Sequence, residues 1–220
     1  MSIREDACEF FTVNLLVVGP FGRAVARYFR EFEPRALCAE VSPNDAPPIE
    51  ACGHARVNVV IAWRPVPDLC DYLDLISRQN RQFFVPLVME SAVLRLGPVI
   101  TPEEGGCWPC WTKRAGQHTT SIDDHAAVMN YYSMHPFSGP RGYLEPYAML
   151  AAVKIKQTVD SLPSVPAGYI WQLDTITRHI LTGVMLGLHN CPRCGLHRDE
   201  STRSTSELER HMSFLWKSRR

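Results

Sequence analysis

Residues 13–22 read VNLLVVGPFG. Six residues rich in Val and Leu have the length and composition of a buried parallel strand. Gly19 and Gly22 bracket a turn directly after it. Ala24, Val25, Tyr28, Phe29 and Phe32 then recur at helical spacing, with Arg23, Arg27, Arg30 and Glu31 between them. Strand, glycine turn and helix in this order open a βα unit. Pro34 ends the helix, and residues 36–41, ALCAEV, suit a second strand. After the loop SPNDAPP comes Val57 to Trp63, the strongest strand signal in the chain. Pro67 and Asp68 open an amphipathic helix carrying Leu69, Tyr72, Leu73 and Ile76. Phe83 to Met89 is a further strand, and Pro86 inside it predicts an edge or a bulge. Strand and helix alternate up to about residue 90, which predicts a doubly wound α/β domain.

The pattern then changes. Residues 94–111, LRLGPVITPEEGGCWPCW, read as a hairpin and a glycine-rich loop running into a cysteine pair. Residues 115–145 are polar, with one short helix expected. Glu145 to Leu162 has a helical face of Tyr147, Leu150, Ala151 and Ile155. GYIWQLD and ITRHILTGVMLG, within 168–187, read as two strands. The expected organisation is an α/β half over 1–90, a cysteine-bearing half of the same domain over 91–200, and a tail helix over 201–220. There is no internal repeat and no low-complexity tract.

Composition narrows the function. The 220 residues are 45% hydrophobic and 21% charged, an ordinary globular balance. Lys plus Arg is 23 and Asp plus Glu is 23, so the chain lacks the basic excess that neutralises phosphates, and no nucleic-acid partner is expected. No apolar run approaches the ~20 residues that span a bilayer. The N-terminus, MSIREDACEFF, does not read as a signal peptide. A cytoplasmic location follows as the expectation, and there thiols stay reduced.

The strongest chemical signal is Cys107-x-x-Cys110 together with Cys191-x-x-Cys194. Each Cys-x-x-Cys turn presents two thiolates to one ion at roughly 2.3 Å, and two turns complete a tetrahedron. Structural zinc is the favoured reading, because four thiolates leave no open position for catalysis. A redox pair and unlinked buried thiols are the alternatives. Cys8, Cys38, Cys52 and Cys70 show no pairing and read as small buried or half-buried residues.

Gly19-x-x-Gly22 is a degenerate nucleotide loop, since a dinucleotide fingerprint needs G-x-G-x-x-G. Pro20 and Phe21 stand where open backbone amides would meet phosphates, and the proline removes one donor. Glu40, at the end of the second strand, is placed to hold a ribose. ATP on this chain is not expected, and the incomplete fingerprint also argues against an NAD(P)-dependent oxidoreductase.

LVVGPFG, the segment 94–114 and the terminal CPRCG together resemble the ThiF-type adenylating fold, related to ubiquitin-activating enzymes. More narrowly, the chain resembles the Ocin-ThiF cyclodehydratase partner proteins of thiazole/oxazole-modified peptide (bacteriocin) biosynthesis. The most specific part is the run from Gly97-Pro98 to the first cysteine pair, with Arg114 shortly after. The resemblance implies a Rossmann-like sheet with a zinc tetrathiolate subdomain, its ligands Cys107, Cys110, Cys191 and Cys194. It also implies a non-catalytic partner of a YcaO-type ATP-dependent cyclodehydratase that presents a precursor peptide for azoline formation. Catalytic residues are then none on this chain, and a homodimer is admitted. Many family members carry a winged-helix leader-binding element of ~80 residues before the first strand, whereas twelve residues precede it here. Leader recognition is then expected on a separate protein or at a sheet edge. The rival from another class is an active adenylating enzyme acting on a peptide carboxylate.

The remaining chemistry-bearing residues read mainly as structure. His118, His125 and His135 with Asp123 and Asp124 match no ligand spacing, and solvated loop positions are expected. His189 and His197 flank the second cysteine pair, where four thiolates already suffice. Trp108 and Trp111 read either as packing of the cysteine loop or as exposed anchors for a partner. Phe214, Leu215 and Trp216 carry the same two readings, and Asn80-Arg81-Gln82 carries no weight.

Overall fold

The computed structural model describes residues 12–43, 47, 55–90, 92–117, 121–139 and 142–195. Cys8, Cys52, His118, His197 and the tail with Phe214, Leu215 and Trp216 lie outside them. In chain order the elements are β1 (Val13–Val18), α1 (Gly19–Phe32), β2 (Leu37–Glu40), β3 (Val57–Ala62), α2 (Pro67–Gln79), β4 (Phe83–Glu90) and β5 (Val93–Leu96). They continue as α3 (Trp108–Gln117), α4 (Ile122–Met134), α5 (Glu145–Asp160), β6 (Tyr169–Asp174) and β7 (Ile180–Val184).

The strands form one seven-stranded mixed sheet in the order β2-β1-β3-β4-β5-β6-β7. β2, β1, β3 and β4 run parallel, and β5, β6 and β7 add antiparallel. From β1 the chain steps outward to β2, then crosses back to β3 and β4. Right-handed crossovers stepping in opposite directions put α1 and α2 on opposite faces. α5 packs on α1, and α3 packs on α2, so helices lie on both faces of the parallel half of the sheet.

Every residue of β1 and β3 is buried, as expected of central parallel strands. Each carries one polar residue at its second position, and the two are register partners: Asn14 beside Asn58. Asn14 donates to Asn58 at 3.1 Å, and Asn58 donates to Ser77 (3.1 Å) and Gln82 (2.9 Å). Gln82 in turn donates to the Ala55 carbonyl. This chain of bonds ties β1, β3 and α2 at one end of the sheet. Asn58→Ala deletes its centre and strands buried polar groups, so urea unfolding should register a loss of about 2–4 kcal/mol.

Pro86 does not put β4 at an edge: the strand pairs with β3 on one side and β5 on the other. The proline faces the β5 side, where Gly97 N–H donates to its carbonyl at 2.7 Å. The return bond to the Gly97 carbonyl, which a proline cannot give, comes instead from the Arg95 guanidinium. Phe84 and Ile100 then exchange both bonds, so Pro98 and Val99 oppose the single residue Val85. That is a bulge, with the extra residue on the strand opposite the proline.

The stretch 115–145 holds more helix than its polarity suggests. α4 runs for 13 residues, capped by Ser121, whose hydroxyl accepts from Asp124 N–H at 3.2 Å. Asp123 and Asp124 in its first turn complement the helix dipole. α4 is mostly exposed, so it carries no continuous apolar stripe to betray it. β7 is also exposed along its whole length and, among the described residues, forms one edge of the sheet. No helix among the described residues is long and apolar enough to cross a membrane.

Candidate functional site

The two cysteine pairs, 84 residues apart in sequence, meet in space. Cys107 ends the loop before α3, Cys110 sits in its first turn, and Cys191 and Cys194 lie in the turns after β7. Sγ of Cys107 is 3.6 Å from that of Cys110 and 3.5 Å from that of Cys191, and Cys110 is 3.5 Å from Cys194. All four sulfurs fall within 4.8 Å of one another, and all four residues are buried. Four thiolates at roughly 2.3 Å from a tetrahedral ion stand about 3.8 Å apart. The donor set therefore fits a closed tetrathiolate, while its separations are far beyond a disulfide bond. Among the described residues no other group of His, Cys, Asp or Glu converges this way.

Hydrogen bonds set the two sulfurs of the first pair apart. Cys110 is held below the ordinary thiol range by bonds from the thiols of Cys107 and Cys194 and from the Leu188 N–H at 3.3 Å. Cys107, hydrogen-bonded to Cys110 and Cys194 and buried, is pushed up. The backbone around the second pair is tight: Gly195 N–H donates to the Cys191 carbonyl at 2.7 Å. A Cβ on Gly195 would fall 2.4 Å from the Cys191 nitrogen.

Asp74, a fully buried residue of α2, joins both cysteine turns to the parallel half of the sheet. One carboxylate oxygen accepts the Trp108 N–H (3.2 Å), from inside the first Cys-x-x-Cys, and the Arg193 guanidinium (3.0 Å), from inside the second. The other oxygen accepts Arg78 Nε at 3.0 Å, and Arg78 also reaches the Gly106 carbonyl at 2.9 Å. Arg193 forks onto Asp71 at 2.7 and 3.0 Å. Arg114 ties α3 to the approach of the second pair through the Leu186 and Gly187 carbonyls at 2.7 and 3.4 Å. Sequence reading missed Asp74. Its signal is a carboxylate inside the buried stripe Leu69, Cys70, Leu73, Ile76 and Ser77 of an amphipathic helix.

The other singled-out residues do not join this centre. Trp108 is 5% exposed and packs edge-on to Phe84, so it is no exposed anchor. His125 is exposed on α4, and His135 follows its last turn, stacked on Tyr131. Asp123 and Asp124 are exposed, as expected of solvated positions. Cys70 is buried and its thiol is pushed up by burial, but Cys38 is exposed on the edge strand β2, against the expectation of burial.

The glycine turn lies between β1 and α1. Gly19 has φ of 70°, a left-handed value that favours glycine, and Trp63 lies against it. A Cβ at Gly19 would fall 2.2 Å from the Trp63 indole nitrogen. Trp63 is in turn pressed by Gly139, and the adjacent Arg64 is buried, donating to the carbonyls of Pro65 (3.0 Å), Tyr132 (3.3 Å) and Pro136 (2.9 Å). The segment after α4 is thereby pinned across the carboxyl end of β3. Glu40 is engaged by an ion pair with Arg23. A cavity of about 430 Å³ opens beside these groups, lined by Gly19, Pro20, Arg23, Glu40, Trp63 and Phe137.

No protein-family model matches the sequence, and no curated protein matches it. Solved structures share its fold. A heterocyclase in complex with substrate and cofactor superposes with a TM-score of 0.59 at 19% identity, over 84% of this chain and 25% of that one. The heterocyclase TruD gives 0.57 at 17% identity, over 84% of this chain and 27% of that one. MccB of E. coli, solved with AMPCPP and MccA, gives 0.59 at 16% identity, over 84% of this chain and 67% of that one. The chain thus spans about a quarter of the length of the two heterocyclases.

Proposed function

We propose that this chain is a ThiF-like, non-catalytic partner of a YcaO-type ATP-dependent cyclodehydratase. In this reading it scaffolds the complex and presents a precursor peptide for azoline formation in bacteriocin-type peptide biosynthesis. Cys107, Cys110, Cys191 and Cys194 hold a structural zinc, which when bound cross-links the loop before α3 to the loop after β7. Asp74, Arg78 and Arg193 orient the two cysteine turns and fasten them to α2. The chain's own degenerate nucleotide loop, Gly19 and Gly22, does not carry ATP chemistry.

The non-catalytic part of this reading is carried by the turn itself, with Pro20 in place of a donor and the Trp63 indole beside Gly19. Phosphate binding at such a turn needs close approach to open backbone amides. Here Pro20 supplies no N–H, and the Trp63 indole stands where a side chain of residue 19 would, on the wall of the cavity that Gly19 also lines. The fold shared with heterocyclases and with MccB fits a place in peptide modification. The buried four-cysteine cluster fits a structural rather than a reactive metal.

Co-expression with the neighbouring gene products, followed by purification and elemental analysis, tests the proposal. The expected result is a YcaO protein or a short precursor peptide at stoichiometric level, with about one zinc per chain. ATP–pyrophosphate exchange by the isolated chain should stay at background. Exchange stimulated by a peptide carboxylate would replace this reading with the adenylating enzyme.

A further inference from the structure

β7 reads ILTGV over Ile180–Val184, and among the described residues it pairs with β6 alone. A free edge is ordinarily guarded by a charge, a proline or a bulge, and β7 carries none of them. No charged residue falls within 180–188.

The bonds at the ends of β7 fix where its main-chain groups point. The His179 carbonyl accepts from Asp174 N–H at 3.0 Å, and Met185 N–H donates to the Gly168 carbonyl at 2.8 Å. Alternation along the strand then turns the peptide groups of Leu181 and Gly183 toward β6, and those of Ile180, Thr182 and Val184 toward the open edge. A second copy of β7, laid antiparallel about a two-fold axis beside Thr182, meets all three. Thr182 faces its own counterpart and Ile180 faces the partner's Val184, each pair exchanging both main-chain bonds. Moving the axis by one residue either way puts Ile180 or Val184 opposite a residue outside the strand.

The side chains agree with this register. Leu181 is exposed and falls opposite the partner's Gly183 on the same face. A Cβ at Gly183 would meet nothing within 4 Å, so the leucine has open space over the glycine. On the other face Ile180 lies against Val184 and threonine against threonine, pairings that sheets favour. Charge agrees as well. Arg178 falls opposite the partner's Leu186, so no like charges meet across the seam. Ile176, Ile180, Leu181, Val184 and Leu186 are each half or more exposed. Together they offer roughly 600 Å² per protomer, and a pair that covers most of them reaches the ~1,000 Å² a specific interface needs.

We propose that β7 is the seam of a homodimer, in which a two-fold axis beside Thr182 joins the two seven-stranded sheets edge to edge. A second copy is chosen over a foreign strand because this edge complements itself in hydrogen bonds, side-chain volume and charge. The dimer needs neither a cyclodehydratase nor a precursor peptide, so it stands or falls apart from the partner role proposed above.

The test uses the full, zinc-supplemented chain. Light scattering over a micromolar range should give twice the chain mass. Residue-resolved hydrogen exchange should find the amides of Ile180, Thr182 and Val184 as protected as those of Leu181 and Gly183, which bond β6. Thr182→Lys sets two ammonium groups against each other at the axis and should weaken the dimer by about tenfold or more. It should free the three edge amides to exchange and leave those of Leu181 and Gly183 protected. Thr182→Val keeps the pairing and should keep the dimer. A monomeric chain overturns the proposal. If its three edge amides exchange freely the edge is open, and if they are protected, or become so on adding a precursor peptide, another strand holds it. A dimer whose three edge amides exchange freely, or that Thr182→Lys leaves as tight as before, overturns it as well.

Discussion

Cys191→Ser should lower bound zinc from about one ion per chain to near zero and drop the melting temperature by about 10 °C. The residue supplies one of four sulfurs to a buried cluster whose other members are Cys107 before α3, Cys110 in its first turn and Cys194 three residues ahead. A serine hydroxyl is a poor zinc ligand, and with three thiolates the site opens to water and chelators. The metal-free loops must then be held by protein contacts alone. Those contacts are the ion pairs and hydrogen bonds of Asp74, Arg78, Arg193 and Arg114, with a small apolar cluster that the cysteines share with Met185, Trp111, Ile170 and Leu188. Loss of a structural ion from a zinc finger abolishes its fold outright. This chain keeps a large core over β1, β3 and β4, so a partial loss of about 3–5 kcal/mol is expected, at 2–4 °C per kcal/mol for a domain of this size. Cys38→Ser is the control. That thiol is exposed on β2, far in the sheet order from the cluster, and should change neither metal content nor melting. Elemental analysis and thermal denaturation on the same samples read both quantities.

Asp74→Ala should destabilise the chain by about 3–5 kcal/mol in urea and loosen the metal at the same time. The carboxylate is fully buried and receives three donors: Arg78, Arg193 and the Trp108 N–H. Removing it leaves two guanidinium groups short of a partner and an amide without an acceptor, which costs more than the ion pairs themselves contribute. Arg193 keeps Asp71, so the second cysteine turn is weakened rather than released. The double variant Asp74→Ala/Arg193→Ala should lose less than the sum of the two singles, because Arg193 is no longer there to be stranded. Zinc transfer to a chelator should run about tenfold faster from Asp74→Ala than from the parent chain, one power of ten being about 1.4 kcal/mol of lost preorganisation. Additive losses with an unchanged transfer rate would mean that Asp74 serves the core and not the cysteine turns.

How much of this was legible in the sequence varied with the physics of each element. β1 and β3 are buried on both faces, and such strands write themselves as unbroken apolar runs. The two cysteine pairs were legible as one centre because a doublet of Cys-x-x-Cys turns has few other uses. Pro86 was read as marking an edge or a bulge, and only the bulge is present. What the sequence could not display was that Arg95, two residues from Gly97 on the facing strand, supplies the donor that the proline lacks. α4 was hidden by its exposure, since a helix that buries little needs no apolar stripe. Trp63 read as the last residue of a strand, and its seat against Gly19 depends on a glycine 44 positions earlier. Asp74 was missed for a similar reason: apart from Arg78, four residues on, its partners are the first residue of α3, Trp108, and the turn at Arg193, which only the folded chain brings to α2.

The central claim is that this chain serves peptide heterocyclisation without performing the ATP chemistry. It is tested most directly by reconstituting the reaction from purified YcaO protein, precursor peptide, ATP and this chain, and following dehydrative mass loss on the peptide. The account predicts fast heterocyclisation only when this chain is present, with ATP consumption dependent on the YcaO protein and unaffected by Arg23→Ala in the cavity beside the glycine turn. Heterocyclisation that runs equally well without this chain would contradict it.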